Sequence, residues 1–240
     1  MPRSFAIVTG STRGIGLAIA SALARRGLVP ILNYMRDDQS AEQALAHVRR
    51  LCKDTQLIQA DVTTEPGVQM LFDRARQYGS VDVLVNNVGR FLFKPFLETS
   101  LADWSEILDS ILTSTVLCCQ HALPSMRTQY KGHIINIASM HAAEIRARPN
   151  TLPYAIAKSG VIHLTKTLAK TEAPYGIRVN AVCPGFIAGG DHTSAQHTSK
   201  IPLGRLGQPE DVASIVQFLV TDESAYMTGA ILETHGGALL

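Results

Sequence analysis

The sequence predicts an α/β fold, a single doubly wound parallel sheet with helices on both faces, and three observations carry that prediction. Short apolar runs alternate with amphipathic stretches along the chain, and a strand, a crossover helix and a second strand build a right-handed βαβ unit. Polar segments follow the expected strand ends: Thr9-Gly-Ser-Thr-Arg-Gly-Ile-Gly16, Asp61, Asn86-Asn87-Val88-Gly89, Ser139 and Pro184-Gly185. In such sheets ligands bind beyond the carboxyl ends of the strands, so these segments should share one cleft. Finally, 240 residues, 46% of them hydrophobic, suffice for one large core.

The first strand is expected over residues 5–8 and the first helix over 15–25, with the glycine segment between them. Gly10 and Gly14 are able to take positive φ, Gly16 allows close helix packing, and the helix N-terminus offers free N–H groups to an anion. Three glycines also suit a plain tight turn; the strand-loop-helix context favours the anion seat. Strands then follow at 28–35, 56–60, 81–85 and 132–138, with helices over 41–52, 65–78, a long 101–130, and 153–173. A strand over 177–182 should break at Pro184-Gly185, where neither residue favours continued pairing. A polar stretch rich in Ser, Thr and His, about 188–201, reads as a substrate lid, before a helix at 209–219 and a last strand at 230–233. Nothing in the chain is a repeat, a charge block or a linker, so residues 1–240 are expected to form one dinucleotide-binding and catalytic domain.

A net charge of +2 with scattered basic residues gives no footprint for nucleic acid or an anionic membrane, which leaves a small molecule as the expected partner. The first strand begins by Phe5, without room for a signal peptide, and no apolar run approaches the roughly 20 residues that span a bilayer. A soluble, cytoplasmic protein is expected. Cys52, Cys118, Cys119 and Cys183 form no Cys-x-x-Cys pair and read as reduced structural thiols, with no metal site.

Five motifs in order, Thr9 to Gly16, Asn86 to Gly89, Ser139, Tyr154-Ala-Ile-Ala-Lys158 and Ile177-Arg-Val-Asn-Ala-Val-Cys-Pro-Gly185, resemble the short-chain dehydrogenase/reductase family. The resemblance runs nearly end to end, since Leu203-Gly-Arg-Leu-Gly-Gln-Pro-Glu-Asp-Val-Ala213 and the glycines at 229, 236 and 237 also match, closest to 3-oxoacyl-(acyl-carrier-protein) reductase-like members. It implies a Rossmann fold and a catalytic set of Ser139, Tyr154 and Lys158. Tyr154 would be the acid/base, its phenolate favoured by the Lys158 ammonium and an oxidised nicotinamide; Lys158 would also hold the nicotinamide ribose, and Ser139 the substrate oxygen. Tyr-x-x-x-Lys alone also suits an ordinary amphipathic helix; Ser139 and the glycine loop favour the catalytic alternative.

The chain departs from the family pattern in two places. Where members carry an asparagine that holds a relay water in the central helix, counted from Trp104, this chain has Ile111, so Ser110, Ser114 or backbone would have to substitute. Ser139 and Tyr154 are 15 positions apart, a slightly longer interval than usual, and the loop between carries His141, Glu144, Arg146 and Arg148 near the substrate mouth. His141 is close enough in sequence to touch a substrate, or it is a solvated loop histidine.

For the cofactor, the resemblance implies contacts from Gly10, Ser11, Thr12, Arg13, Gly14, Ile15, Gly16, Asp61, Val62, Asn87, Gly89, Tyr154, Lys158, Pro184 and Gly185. The place of the acidic residue of NAD-preferring members falls near Tyr34, while Arg13 and Arg36 could address a 2′-phosphate, so NADP(H) is expected over NAD(H). Asp37 and Asp38 argue the other way, since a loop shift would bring a carboxylate to the ribose. The usual threonine after Pro184-Gly185 is missing, which leaves backbone at Ile187 to orient the nicotinamide. The leading expectation is an NADPH-dependent reductase of a 3-oxoacyl thioester or a similar small ketone, with acyl-carrier protein as a partner and a homotetrameric assembly. An NAD(P)-dependent alcohol or sugar dehydrogenase is one alternative, and a nucleotide-binding regulatory homologue with weak turnover another.

Overall fold

The computed structural model describes residues 4–144, 146–190 and 195–240. Its strands are β1 (Phe5–Val8), β2 (Val29–Tyr34), β3 (Gln56–Gln59), β4 (Val81–Asn86), β5 (Gly132–Ile137), β6 (Ile177–Pro184) and β7 (Ile231–Thr234). All pair in parallel in the order β3-β2-β1-β4-β5-β6-β7. Strand order reverses between β1 and β4, and Val8 pairs with both Leu32 and Val85, so the ends of β1, β2 and β4 come level at the reversal.

The helices are α1 (Gly14–Arg25), α2 (Asp38–Arg49), α3 (Glu65–Tyr78), α4 (Leu101–Leu108), α5 (Ser114–Gln129), α6 (Leu152–Glu172) and α7 (Pro209–Leu219). Alternation along β1 sorts the two cores. Phe5 and Ile7 pack with Leu71 and Phe72 of α3, Met126 of α5 and Ala169 of α6, while Ala6 and Val8 pack with Ile19 and Leu23 of α1, Val48 of α2 and Val216 of α7. Each fully buried aliphatic or phenyl side chain contributes about 1.5–3 kcal/mol to this sandwich. Burial also pushes the thiols of Cys118, Cys119 and Cys183 above their ordinary range, which keeps them protonated and inert. Among the described residues no helix is long and apolar enough to cross a membrane.

Three boundaries differ from expectation. Helix α2 begins at Asp38 rather than near 41, because Asp37, held at φ 67°, caps it by accepting from the Ser40 amide at 3.1 Å. The long central helix is two helices joined by a π-helical turn, Asp109–Thr113, whose wider turn carries Ile111. Strand β6 does not stop at Val182: Cys183 and Pro184 pair with Glu233 and Thr234. Pro184 needs only its carbonyl there, which accepts from the Met140 amide at 2.9 Å, and the missing N–H falls at the last residue of the strand.

A buried polar ladder ties the middle of the sheet to α6. Asn86 Nδ2 donates to Asn136 Oδ1 and Asn136 Nδ2 to Thr165 Oγ1, both at 2.9 Å, and Thr165 Oγ1 donates to the Val161 carbonyl at 2.8 Å. All three side chains are buried. Removing the middle rung breaks two buried bonds, each worth about 0.5–1.5 kcal/mol, and leaves Asn86 Nδ2 only Cys119 Sγ at 3.4 Å and Thr165 Oγ1 only its bond to Val161. We therefore expect Asn136→Leu to lower the unfolding free energy by about 2 kcal/mol or more, read as a reduced urea midpoint with an unchanged slope.

Candidate active site

The glycine loop is fixed from both sides by side chains of neighbouring strand ends. Thr9 Oγ1 accepts from the amides of Asn87 and Val88 at 2.9 and 3.2 Å, and Asn87 Nδ2 donates to the carbonyls of Thr9 and Gly10, both at 3.0 Å. On the other side Asn33, buried in β2, accepts from the Gly10 amide through Oδ1 at 3.3 Å and donates to the Ala60 carbonyl through Nδ2 at 3.0 Å. The main chains of Ser11 and Asn33 close the pairing: the Ser11 amide donates to the Asn33 carbonyl, and Ser11 Oγ accepts from the Asn33 amide, both at 3.0 Å. Thr9 was read as the first residue of the glycine segment without its bracing role, and Asn33 escaped the sequence-based site; its available signal was a polar residue inside the apolar run of β2. Asn87, expected to line the nucleotide floor, also braces the loop backbone through its amide nitrogen.

What remains open is the start of α1. Arg13 has extended backbone and makes no side-chain cap, so the first-turn N–H groups are without a capping side chain. Gly14 takes φ 52°, and a Cβ placed on it would meet open space. At Gly16 the reverse holds: a Cβ would lie 2.5 Å from the Gly10 carbonyl oxygen. Space for an anion above the helix start, with the loop braced from below, fits a pyrophosphate.

Ser139 follows β5 and is held there by pairing that outlasts the strand, Ala138 amide to Val182 carbonyl at 2.8 Å and Met140 amide to Pro184 carbonyl at 2.9 Å. Tyr154 sits in the first turn of α6, with Lys158 one turn further on. Ser139, Tyr154 and Lys158 line one cavity of about 180 Å³ with Phe91, Met140, Arg148 and Phe186. The Phe91 ring meets the Tyr154 ring edge-on at 5.0 Å. The Tyr154 phenol is raised above its usual 10 by burial, against a hydrogen bond from Ser139 that favours the ionised form. Lys158 Nζ lies 5.8 Å from the Tyr154 ring centre and donates to the Ile137 carbonyl at 2.6 Å. Burial brings its pKa down from 10.5 to about 8. Here the tyrosine rests as a phenol, and the lysine charge is directed at a backbone carbonyl.

Ile111 is buried at 1% exposure, and a Cβ built on Gly89 would touch both its Cγ1, at 3.1 Å, and Lys158 Nζ, at 3.4 Å. The two expected substitutes are occupied. Ser110 Oγ donates to the Ile107 carbonyl and accepts from the Arg90 amide, and Ser114 Oγ donates to the Ser110 carbonyl at 2.8 Å.

At the far end of the cleft Tyr34 is half-buried, and Arg13 and Arg36 are exposed. Both acidic neighbours are engaged: Asp37 with Ser40, and Asp38 with the Tyr34 hydroxyl and with Gln59 at 3.5 Å. Asp61 Oδ1 accepts from the amide and hydroxyl of Thr63, and Val62 turns its side chain into the core. Beyond Gly185 the chain pairs with Gly207 at Ile187, whose carbonyl accepts from Gly190 at 3.3 Å. Of the expected lid, residues 191–194 lie outside the described residues, and Ala195–Lys200 forms 3-10 turns. Thr12 and Ile15 are half-buried at the loop rim.

Residues 10–238 match a family model described as enoyl-(acyl carrier protein) reductase. The 3-oxoacyl-(acyl-carrier-protein) reductase of Staphylococcus aureus is 37% identical over 239 residues, 97% of this chain and 96% of that protein. Glucose 1-dehydrogenase 2 of Bacillus subtilis is 37% identical over 245 residues, 98% and 94% of the two chains. The crystal structure of a short chain dehydrogenase from Bacillus anthracis superposes with a TM-score of 0.91 at 30% identity, covering 99% of this chain and 97% of that one.

The buried lysine gives a direct readout. Carbon-13 lysine NMR should show one ε-carbon titrating near pH 8, absent in Lys158→Met. Because the folded pKa is below the unfolded value of 10.5, the unfolded chain binds more protons between about 8 and 10.5. The penalty for burying the charge is therefore full below pH 8 and fades across that window, so this residue's contribution to stability rises with pH. An ε-carbon midpoint at the ordinary 10.5 would contradict the buried placement.

Proposed function

The chain belongs to the short-chain dehydrogenase/reductase family of oxidoreductases, and from that premise we propose that it is an NADPH-dependent carbonyl reductase of a 3-oxoacyl thioester or a similar small ketone. Residues 1–240 would then act as one dinucleotide-binding and catalytic unit. The observation that carries the reading is the Ser139–Tyr154 hydroxyl pair opening into the same cavity as the buried Lys158. The bare start of α1 would hold the pyrophosphate of a nicotinamide dinucleotide, which would supply the hydride. Ser139 donates a hydrogen bond to the substrate oxygen and polarises the carbonyl. Tyr154, kept protonated by burial, delivers its proton to that oxygen. Lys158 lends positive charge to the cleft and a donor to the cofactor ribose.

The preference for NADPH is supported by the exposed Arg13 and Arg36, whose guanidinium groups suit a 2′-phosphate, and by the uncharged Tyr34 at the end of β2. Similarity to glucose 1-dehydrogenase 2 supports a second reading, the same cleft working in the oxidative direction on an alcohol or sugar. Ile111 beside Lys158 supports a third, a nucleotide-binding homologue with weak turnover. A thioester substrate would bring acyl-carrier protein as a partner. We further propose a homotetramer: Leu97, Leu101 and Ile156 lie exposed at 94%, 85% and 47%, large apolar side chains that a partner subunit would cover.

Fluorescence titration should give tighter binding of NADPH than of NADH, and tight NADH binding with none for NADPH would overturn the phosphate assignment. Tyr154→Phe keeps the ring and removes the acidic proton, so ketone reduction should fall by about 100-fold or more with cofactor affinity retained. Ile111→Asn separates the enzymatic readings from the weak-turnover one. A rise in kcat would mark the native relay as impaired, while an unchanged kcat would place the relay on backbone groups.

A further inference from the structure

The catalytic cavity carries more positive charge than a neutral ketone requires. Its lining includes two cations, Lys158 and Arg148, and no carboxylate, while burial and the charge of Arg148 push His141 toward its neutral form. Arg148 Nη2 is buried from solvent and, among the described residues, has no hydrogen-bond partner. His141 Nδ1 is in the same condition, with Glu144 Oε2 at 3.6 Å, beyond a hydrogen bond. Glu144, the acidic residue of this loop, is drawn off by Arg146, whose Nε lies 2.7 Å from it.

The backbone that presents these groups is itself unusual. His141 sits at φ 66°, a region that residues with a side chain avoid. Such a conformation persists where the surroundings hold it in place, and here the Met140 and Ala142 amides on either side are bonded to Pro184 and Ser139. A guanidinium nitrogen shielded from water and lacking an acceptor is unfavourable in isolation, and an acceptor arriving with the ligand relieves that penalty. The planar fork of arginine matches a carboxylate in two parallel hydrogen bonds.

We propose that Arg148 is a specificity-determining residue, and that the preferred substrate is a short oxo acid whose carboxylate docks on the guanidinium while its carbonyl oxygen lies on Ser139 and Tyr154. In the reverse direction the substrate is the corresponding hydroxy acid. The proposal rests on the carbonyl-reductase reading and narrows it, favouring a free acid over a thioester. The cavity, about 180 Å³, suits a short chain, and Phe91, Ala142 and Ala155 give its carbon atoms an apolar wall.

The test compares acetoacetate with its uncharged ethyl ester, using the full chain and both NADPH and NADH. The wild-type protein should prefer the acid by about tenfold or more in kcat/KM, and Arg148→Met should lower the acid-to-ester ratio about 10- to 100-fold, chiefly through KM for the acid. Arg148→Lys keeps a charge without the fork and should give an intermediate ratio; it carries the comparison if the methionine variant does not fold by circular dichroism. Equal use of acid and ester by the wild type, or a variant that slows both alike, overturns the proposal. If the wild type reduces neither ketone with either cofactor, the carbonyl-reductase reading fails and the anion site is judged by saturation-transfer NMR. Acetoacetate binding that is lost in the Arg148 variants upholds the site, and binding that is absent or unaltered overturns it.

Discussion

The hydrogen bonds exchanged by Thr9 and Asn87 across the gap between β1 and β4 set the geometry on which the cleft depends. A reversal of strand order leaves a crevice at that point, and without side chains bridging it the two strand ends would be joined only by their ladders below. Thr9 Oγ1 receives two amides from the β4 side, and Asn87 returns two bonds to the β1 side. Asn33 repeats the device toward β2 and β3. The glycine loop is thereby held as a rigid rim, so the bare start of α1 can face a ligand without a capping side chain.

Deeper in the cleft, burial acts on Tyr154 and Lys158 in opposite directions. It raises the phenol and lowers the ammonium, because each is pushed toward its neutral form. The gap between an acid that ordinarily titrates at 10.0 and a base that ordinarily titrates at 10.5 is inverted, and near neutral pH the phenol stays protonated. Ile111 sharpens this environment: an apolar side chain beside Lys158 Nζ offers no dipole to the charge, and the carbonyl of Ile137 supplies it instead.

The strands and helices were legible because their periodicities differ, and the order of polar strand ends was enough to place Ser139 in the cleft, while Tyr154 and Lys158, on a helix, were added by the family resemblance. The bonds of Thr9 and Asn33 were not legible, since they join residues 76 to 79 and 22 to 27 positions apart, and no local pattern records such partners. Asn87 was visible as a motif residue while its direction was not. The end of β6 was hidden because proline disfavours pairing inside a strand but is accommodated at its last residue, and the π-helical turn at Ile111 leaves no compositional mark. The reach of Arg148 into the cavity depends on the path of a loop, which residue type alone does not define.

The pairing of Ala138 and Met140 with Val182 and Pro184 carries a mechanical consequence. The segment after β5 is stitched to the last residues of β6, and Gly185, just past β6, is in turn bonded to Thr234 of β7. The segment after β5, the end of β6 and the end of β7 therefore behave as a single stiff plate. Any hinge that widens the cleft has to lie outside it, beyond Ile187 on one side and beyond Ala142 on the other, so the mouth can change shape while the position of Ser139 stays constant.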